Sequence, residues 1–441
     1  MEHVMRVTFP MWQRKHQQPQ AVRARFLGCL LGGAVGDALG PPVEFMTHAE
    51  ILSKFGPNGI TQYAPAYGGL GTITDDTQMT LFTAEGLLRG HVRWASKGIA
   101  DVPSVVASAY LRWLATQKER LYEKPDDADS GWLLQQPLLH KRRAPGNTCL
   151  SALEELKTMH SLGTPAQNNS KGCGGVMRMA PVGLMAWSAE GKHDVQKAFD
   201  MGVELAAITH GHPSGKFPAG VFAVLVIALA DGASLREGLV TTKALLKKQT
   251  RHEETLKAIE RAEELADSPL PPHEAIADLG EGWVAEEALA ISIYCALVAK
   301  NFTEGVILAV NHSGDSDSTG SVTGNLLGAK YGVQAIPDEW LEPLELREVI
   351  AEVAEDLYEY RGWDIGEHSK NPELRERIWR KYHPRKKSSG TTEADLSAMM
   401  KSGKLGVSPE RLKELATQLL ADLTPEEERV MRKRFSIGEK P

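Results

Sequence analysis

Apolar positions along the chain recur mostly at three-and-four spacing. VPSVVASAYLRWLATQ, HDVQKAFDMGVELAAITH and EEALAISIYCALVAK each carry an apolar stripe of that period, which predicts helices. Alternating strand patterns are scarce. AGVFAVLVIALA, residues 219–230, is apolar throughout. It has about half of the roughly 20 residues a membrane-spanning helix needs, so it predicts a buried helix, and no membrane segment is expected. The pattern as a whole predicts an all-α protein, a compact multi-helix globule over residues 21–365 preceded by an arm over residues 1–20. Beyond it, ELRERIWRKYHPRKKSSGTTEAD turns basic and then Ser/Gly/Thr-rich, which predicts a linker over 366–391 and a small helical tail over 392–441.

Two of the predicted helices carry an unusual stripe. Gly28, Gly32, Gly36 and Gly40 recur every four residues, and Gly320, Gly324 and Gly328 do the same. Each glycine in a helix interior costs about 1 kcal/mol relative to alanine. Close approach of two backbones would compensate, as in small-residue packing generally. The two stripes are therefore expected to touch, which would bring Asp315 and Asp317 near the loop after Gly40.

Composition adds little to this picture. A net charge of -7 over 441 residues gives no electrostatic case for nucleic acid or an anionic membrane. Four scattered cysteines without a CxxC pair argue against a disulfide framework or a thiolate zinc site, and suit a reducing cytoplasm. The first twenty residues lack the apolar core of a signal peptide.

The chemistry concentrates in two acidic stretches. GTITDDTQMT, residues 71–80, holds Thr74, Asp75 and Asp76; NHSGDSDSTG, residues 311–320, holds Asp315, Asp317 and Ser318; Glu44 follows the first glycine stripe in GPPVEF. Carboxylates and hydroxyls are hard oxygen donors suited to magnesium, manganese or calcium. A calcium loop of the EF-hand type fits residues 315–320 but requires glutamate at its twelfth position, where this chain has Leu326. The bland alternative is a solvated loop with Asp315 capping the next helix. In KGCGGVM, backbone amides can form an anion-binding nest, with an ordinary tight turn as the alternative. Asp37 reads as a carboxylate that holds a neighbouring ligand, or as a paired core acid. His210 and His212 read as loop histidines with ordinary hydrogen bonds, and Cys173 as a small filler with no base evident beside it.

FLGCLLGGAVGDALGPPVEF, GTITDDTQMTL, GNTCLSAL, KGCGGVMRMAPVG, THGHPSG and NHSGDSDSTGSVTGNLLGAKYG, in that order, resemble the motif set of the ADP-ribosylglycohydrolases of the dinitrogenase-reductase-activating type. The resemblance implies an all-α fold and a binuclear centre of two Mg2+ or Mn2+ ions. It implies Thr74, Asp75, Asp76, Asp315, Asp317 and Ser318 as metal ligands. Glu44, Asp76 and Asp317 become the candidates for acid-base work. Gly172, Cys173, Gly174, Gly175, Val176 and Met177 become the cradle for ADP-ribose, with His210 or His212 at its border. The activity implied is hydrolysis of the N-glycosidic bond of ADP-ribosylated protein, on arginine in the first instance, with ADP-ribose as product. Another ADP-ribose linkage, on serine or a small molecule, remains open, as does a non-catalytic reader or an immunity protein against an ADP-ribosylating toxin.

The segment LTPEEERVMRKRF opens with Thr424 as N-cap, Pro425 at the first helical position and Glu427 at the capping-box position. It resembles the start of region four of primary bacterial sigma factors, which implies docking on RNA polymerase or on another sigma-contacting partner. A capped, charged amphipathic helix is the alternative.

Overall fold

The computed structural model describes residues 11–12, 18–117, 131–159, 161–191, 193–366 and 368–382. The expected tail over 392–441, and most of the arm, lie outside the described residues. Among the described residues there are seventeen α-helices, five short 3-10 turns and no strand. The all-α expectation holds.

The three periodic segments form the helices Val102–Thr116, Val195–Ala207 and Ala285–Val298. The apolar run belongs to the helix Pro213–Ala230, longer than the run because Pro213 supplies a first-turn residue without an amide hydrogen and His212 caps it. At 18 residues and mean hydropathy 1.6 this helix passes a membrane-span criterion by composition, yet 89% of it is buried in the protein. It is a core helix.

The glycine helices Pro19–Leu39 and Ser316–Tyr331 pack antiparallel along their stripes. A Cβ placed on Gly28 would lie 2.5 Å from the carbonyl oxygen of Gly328, one on Gly32 2.5 Å from that of Gly324, and one on Gly36 2.0 Å from that of Gly320. The stripes therefore meet glycine against glycine, backbone against backbone. At the end of the seam a Cβ on Gly40 would meet the Asp317 Cα at 2.3 Å, so the seam delivers the second acidic stretch to the end of the first helix. Asn325, buried in the same interface, donates from Nδ2 to the Cys29 carbonyl at 2.7 Å.

Two findings lie at the edges of the globule. Trp12, in the expected arm, is buried and donates from Nε1 to Asp231 Oδ2 at 3.0 Å. The helix Pro372–Tyr382 occupies part of the segment expected to be a linker. Its sequence reads as basic because only one face is apolar. Ile378 and Tyr382 on that face are buried, with the Tyr382 hydroxyl donating to Asp356 Oδ2 at 2.6 Å.

Candidate active site

Two helix N-termini carry the acidic stretches. Thr74 is the N-cap of the helix Asp75–Lys97, its hydroxyl accepting from the Asp76 amide at 3.3 Å. Asp315 is the N-cap of the helix Ser316–Tyr331, Oδ1 accepting from the Ser318 amide at 3.3 Å. Asp75, Asp76 and Asp317 lie in the first turns, where the positive end of the helix dipole favours carboxylates. Capping by Asp315 was the bland expectation, and it is correct. The solvated loop is not, because all four aspartates are buried.

Asp37 aligns the first of these helix starts. Its carboxylate accepts from the Thr74 amide at 3.1 Å and the Thr74 hydroxyl at 2.7 Å, and also from the Thr77 amide at 3.1 Å and the Thr77 hydroxyl. Burial raises the Asp37 pKa to about 6, opposed by those hydrogen bonds. Because the Thr74 proton points to Asp37, lone-pair density of that oxygen remains for the pocket. Asp75 is held from another side, its Oδ2 accepting from the Gly146 amide at 3.3 Å.

Sequence reasoning gave no role to Arg143 and Glu345, which fix the approach to this site. Arg143 donates to Glu345 Oε1 at 2.8 Å and to the Ile73 carbonyl at 2.8 Å, while its own carbonyl accepts from the Asp75 amide at 3.3 Å. Glu345 in turn accepts from the Ile73 amide at 3.3 Å. Arg143 is buried, Glu345 is partly so, and they stand 202 residues apart, so no local pattern announces the pair.

The carboxyl groups act on one another. Glu44 is pushed up to about 8 by burial, then by Asp315 and Asp37. Asp75, Asp76 and Asp317 are raised well above the usual range, first by burial and then by neighbouring acids of the same group. The two stretches meet at one end of the helix Pro19–Leu39: Thr74 bonds to Asp37 there, and a Cβ on Gly40, just before Glu44, would touch Asp317. Buried Glu44 Oε2 and Asp76 Oδ1 have no hydrogen-bond partner, and such orphaned acceptors are costly unless a donor or cation satisfies them. As the side chains stand, no three Asp, Glu, His or Cys groups among the described residues converge on one point. The donor chemistry nevertheless fits a hard divalent cation: oxygen atoms only, several charged, two unsatisfied.

The glycine-rich loop forms the opposite wall. Cys173–Gly175 is a 3-10 turn, and the Cys173 amide donates to the Trp283 carbonyl at 3.2 Å. Contrary to the expectation of no base nearby, the Cys173 thiol has a carboxylate beside it: Sγ donates to Asp315 Oδ2 at 2.8 Å. Burial, followed by Asp315 and Asp76, holds this thiol well above its ordinary pKa, so it is not a thiolate nucleophile. Ser318 Oγ lies 3.6 Å from the same sulfur and 3.9 Å from Met177 Sδ, which brings the loop and the second acidic stretch together. His210 backs the loop. Its Nε2 would lie 3.3 Å from a Cβ on Gly172, and Nδ1 shares a 2.8 Å hydrogen bond with Thr209. His212 instead caps its helix, accepting from the Ser214 amide at 3.1 Å.

Comparison with known proteins places this helical globule, with its buried carboxylates facing a glycine-rich loop, among the hydrolases of glycosyl bonds. The ADP-ribosylglycohydrolase family matches residues 18–366, so this chain belongs to that family and is an ADP-ribosyl hydrolase. Among curated relatives it is 27% identical to the ADP-ribosyl-[dinitrogen reductase] glycohydrolase of Rhodospirillum rubrum, over 74% of this chain and 92% of that one. It is 24% identical to the ADP-ribosylarginine hydrolase Tri1 of Pseudomonas putida, over 77% and 80%, and 24% identical to the human ADP-ribosylhydrolase ARH3, over 76% and 93%. A solved ADP-ribosylglycohydrolase-related protein complex superposes with TM-score 0.56 at 27% identity, covering 77% of this chain and 98% of that one. The match ends at residue 366 and lends nothing to the sigma-factor resemblance of the tail.

Proposed function

We propose that the protein hydrolyses the N-glycosidic bond of ADP-ribosyl-arginine on a modified protein, using two Mg2+ or Mn2+ ions. The observation that carries this reading is the meeting of two acidic helix N-termini whose carboxylates are buried together and include unsatisfied oxygens. Thr74, Asp75, Asp76, Asp315, Asp317 and Ser318 would hold the ions. Positive charge placed there would bring the raised carboxyl pKa values back down. The names of the Rhodospirillum and Pseudomonas relatives support modified protein and modified arginine as substrate.

Cleavage at the anomeric carbon passes through an oxocarbenium-like state and needs an activated water. Bound divalent cations supply Lewis-acid charge beside the ribose and make nearby water more acidic. The chain's own groups do the rest. Glu44, with its free Oε2, is placed to take a proton from water, and Asp317 is the second candidate. The ring of negative charge favours the positive character that develops on the sugar. The amides of Gly174 and Gly175 would serve the diphosphate as an anion nest, those of Gly172 and Cys173 being engaged by Ser170 Oγ and the Trp283 carbonyl. Asp37 keeps Thr74 aimed at the pocket.

The test is release of free ADP-ribose from arginine- and serine-modified proteins, each with Mg2+, with Mn2+ and with EDTA. Release from the arginine substrate, lost in EDTA, is expected. Release from neither substrate with any metal would overturn the proposal and turn attention to an ADP-ribose reader.

A further inference from the structure

The entry to the helix Asp75–Lys97 is held from three distant parts of the chain. Three consecutive backbone amides are each given to a different one. Ile73 donates to Glu345 Oε2 at 3.3 Å, Thr74 to Asp37 Oδ1 at 3.1 Å, and Asp75 to the Arg143 carbonyl at 3.3 Å. The Ile73 carbonyl accepts from Arg143 Nη1 at 2.8 Å, so that residue is gripped on both sides. Arg143 and Glu345 close the grip on each other through both carboxylate oxygens. The first amides of a helix have no partner within it, and helix ends are where local opening starts. Here they are tied down.

Residues 343–346 are shaped to make this grip. The Glu345 amide donates to the Gly71 carbonyl at 2.9 Å. Gly71 has φ +64, and a Cβ there would lie 2.6 Å from the Pro343 carbonyl oxygen, so a side chain at 71 would push the segment away. Leu346, directly after Glu345, sits in the left-handed region at φ 58, which a leucine adopts only where its surroundings impose it. Tyr63 adds a further tie, its hydroxyl donating to the Trp340 carbonyl at 3.0 Å. Strain is thus accepted at the place where Glu345 must reach Ile73.

The grip opposes a force that the site itself creates. Without positive charge between them, the carboxylates of the two acidic stretches repel, which drives the two helix starts apart. A site that binds tightly keeps its ligands in place while empty. We propose that Arg143 and Glu345 are positioning residues of the metal site: through the Ile73 and Asp75 backbone they hold Thr74 and Asp75 ready for a divalent cation, and so set its affinity. This inference rests on the metal-dependent reading above. It differs from the part played by Asp37, which also orients the Thr74 hydroxyl, because Arg143 and Glu345 act on the backbone to either side of Thr74.

The experiment measures Mn2+ binding to the full chain through the electron paramagnetic resonance signal of the free ion. It is run at a temperature where circular dichroism shows each variant fully helical. Glu345→Gln keeps the size of the side chain and removes its charge; Glu345→Ala removes both acceptors. The Mn2+ Kd is expected to rise about tenfold for Glu345→Gln and up to about a hundredfold for Glu345→Ala, the range seen when support behind a metal ligand is lost. Should Glu345→Ala fail to fold, Glu345→Gln decides the matter. Tyr382→Phe is the control. It removes the 2.6 Å hydrogen bond to Asp356, so it should lower the melting temperature in EDTA and leave the Kd unchanged. An unchanged Kd in folded Glu345→Gln, or an equal rise in Tyr382→Phe, would overturn the proposal alone. Absence of Mn2+ binding by the parent chain would overturn the metal-dependent reading and this inference with it.

Discussion

The glycine seam yields a prediction whose sign is not the one helix propensity gives. Replacing a helix-interior glycine by alanine in an open position should stabilise by about 0.5–1 kcal/mol, through better propensity and a less flexible unfolded chain. Gly324→Ala places a Cβ 2.0 Å from the Gly32 carbonyl oxygen and 2.6 Å from its carbonyl carbon. These are backbone atoms of a packed helix, so no rotamer change relieves the overlap; the helices must separate by more than an ångström, loosening the neighbouring glycine contacts too. Overpacking of well-packed interiors costs about 1–3 kcal/mol, and this contact belongs at the upper end. Less about 1 kcal/mol of propensity gain, a net destabilisation of about 2 kcal/mol is expected. Gly90→Ala is the control. It lies inside the helix Asp75–Lys97, and its added Cβ would meet only Val102 Cγ2 at an ordinary 3.5 Å. Urea unfolding followed by circular dichroism should move the midpoint down for Gly324→Ala and up for Gly90→Ala. A raised midpoint for Gly324→Ala would refute the argument that close approach compensates the glycines.

Other consequences can be checked in the same preparation. Asp37→Asn removes the anionic acceptor that holds Thr74 and Thr77, and metal affinity measured by titration should fall about 10–100-fold; unchanged affinity would remove Asp37 from the site's support. Arg143→Ala leaves the largely buried Glu345 carboxylate uncompensated, a loss of about 3–5 kcal/mol readable as a lowered unfolding midpoint. A divalent cation bound to the folded chain should raise the melting temperature, by the equivalent of about 2.7 kcal/mol at a hundred times Kd, and Asp76→Ala should abolish that rise. His210 is held to about 3 by burial and then by Arg178, against about 6.5 unfolded. Its neutral form therefore contributes stability that is complete above pH 6.5 and declines as pH falls toward 3. His210→Gln should flatten that part of a stability-versus-pH curve, and an identical curve would contradict its burial as a neutral ring.

What could be read ahead of the structure was whatever carried a local cost. Interior glycines are unfavourable wherever they occur, so Gly28 through Gly40 and Gly320 through Gly328 declared a close contact, and the observed register pairs them. Concentrated carboxylates are equally costly, so Asp75, Asp76, Asp315 and Asp317 were legible as a site. Groups satisfied by distant partners were not. Arg143 and Glu345 look like ordinary charges until folding brings them together. The Cys173 thiol seemed to lack a base because Asp315 lies on another segment. The helix Pro372–Tyr382 was masked by its many charged residues, of which Glu373, Glu376, Arg377 and Arg380 are exposed while Ile378 and Tyr382 are buried.

The acidic pocket draws its two halves from distant parts of the chain, one near residue 75 and the other near residue 317. A ribosome must therefore make most of the polypeptide before the halves can meet, and until then each leaves unpaired carboxylates in solvent. Recovery of turnover after dilution from denaturant should consequently lag the return of helical signal, making catalysis a clock for the last step of assembly.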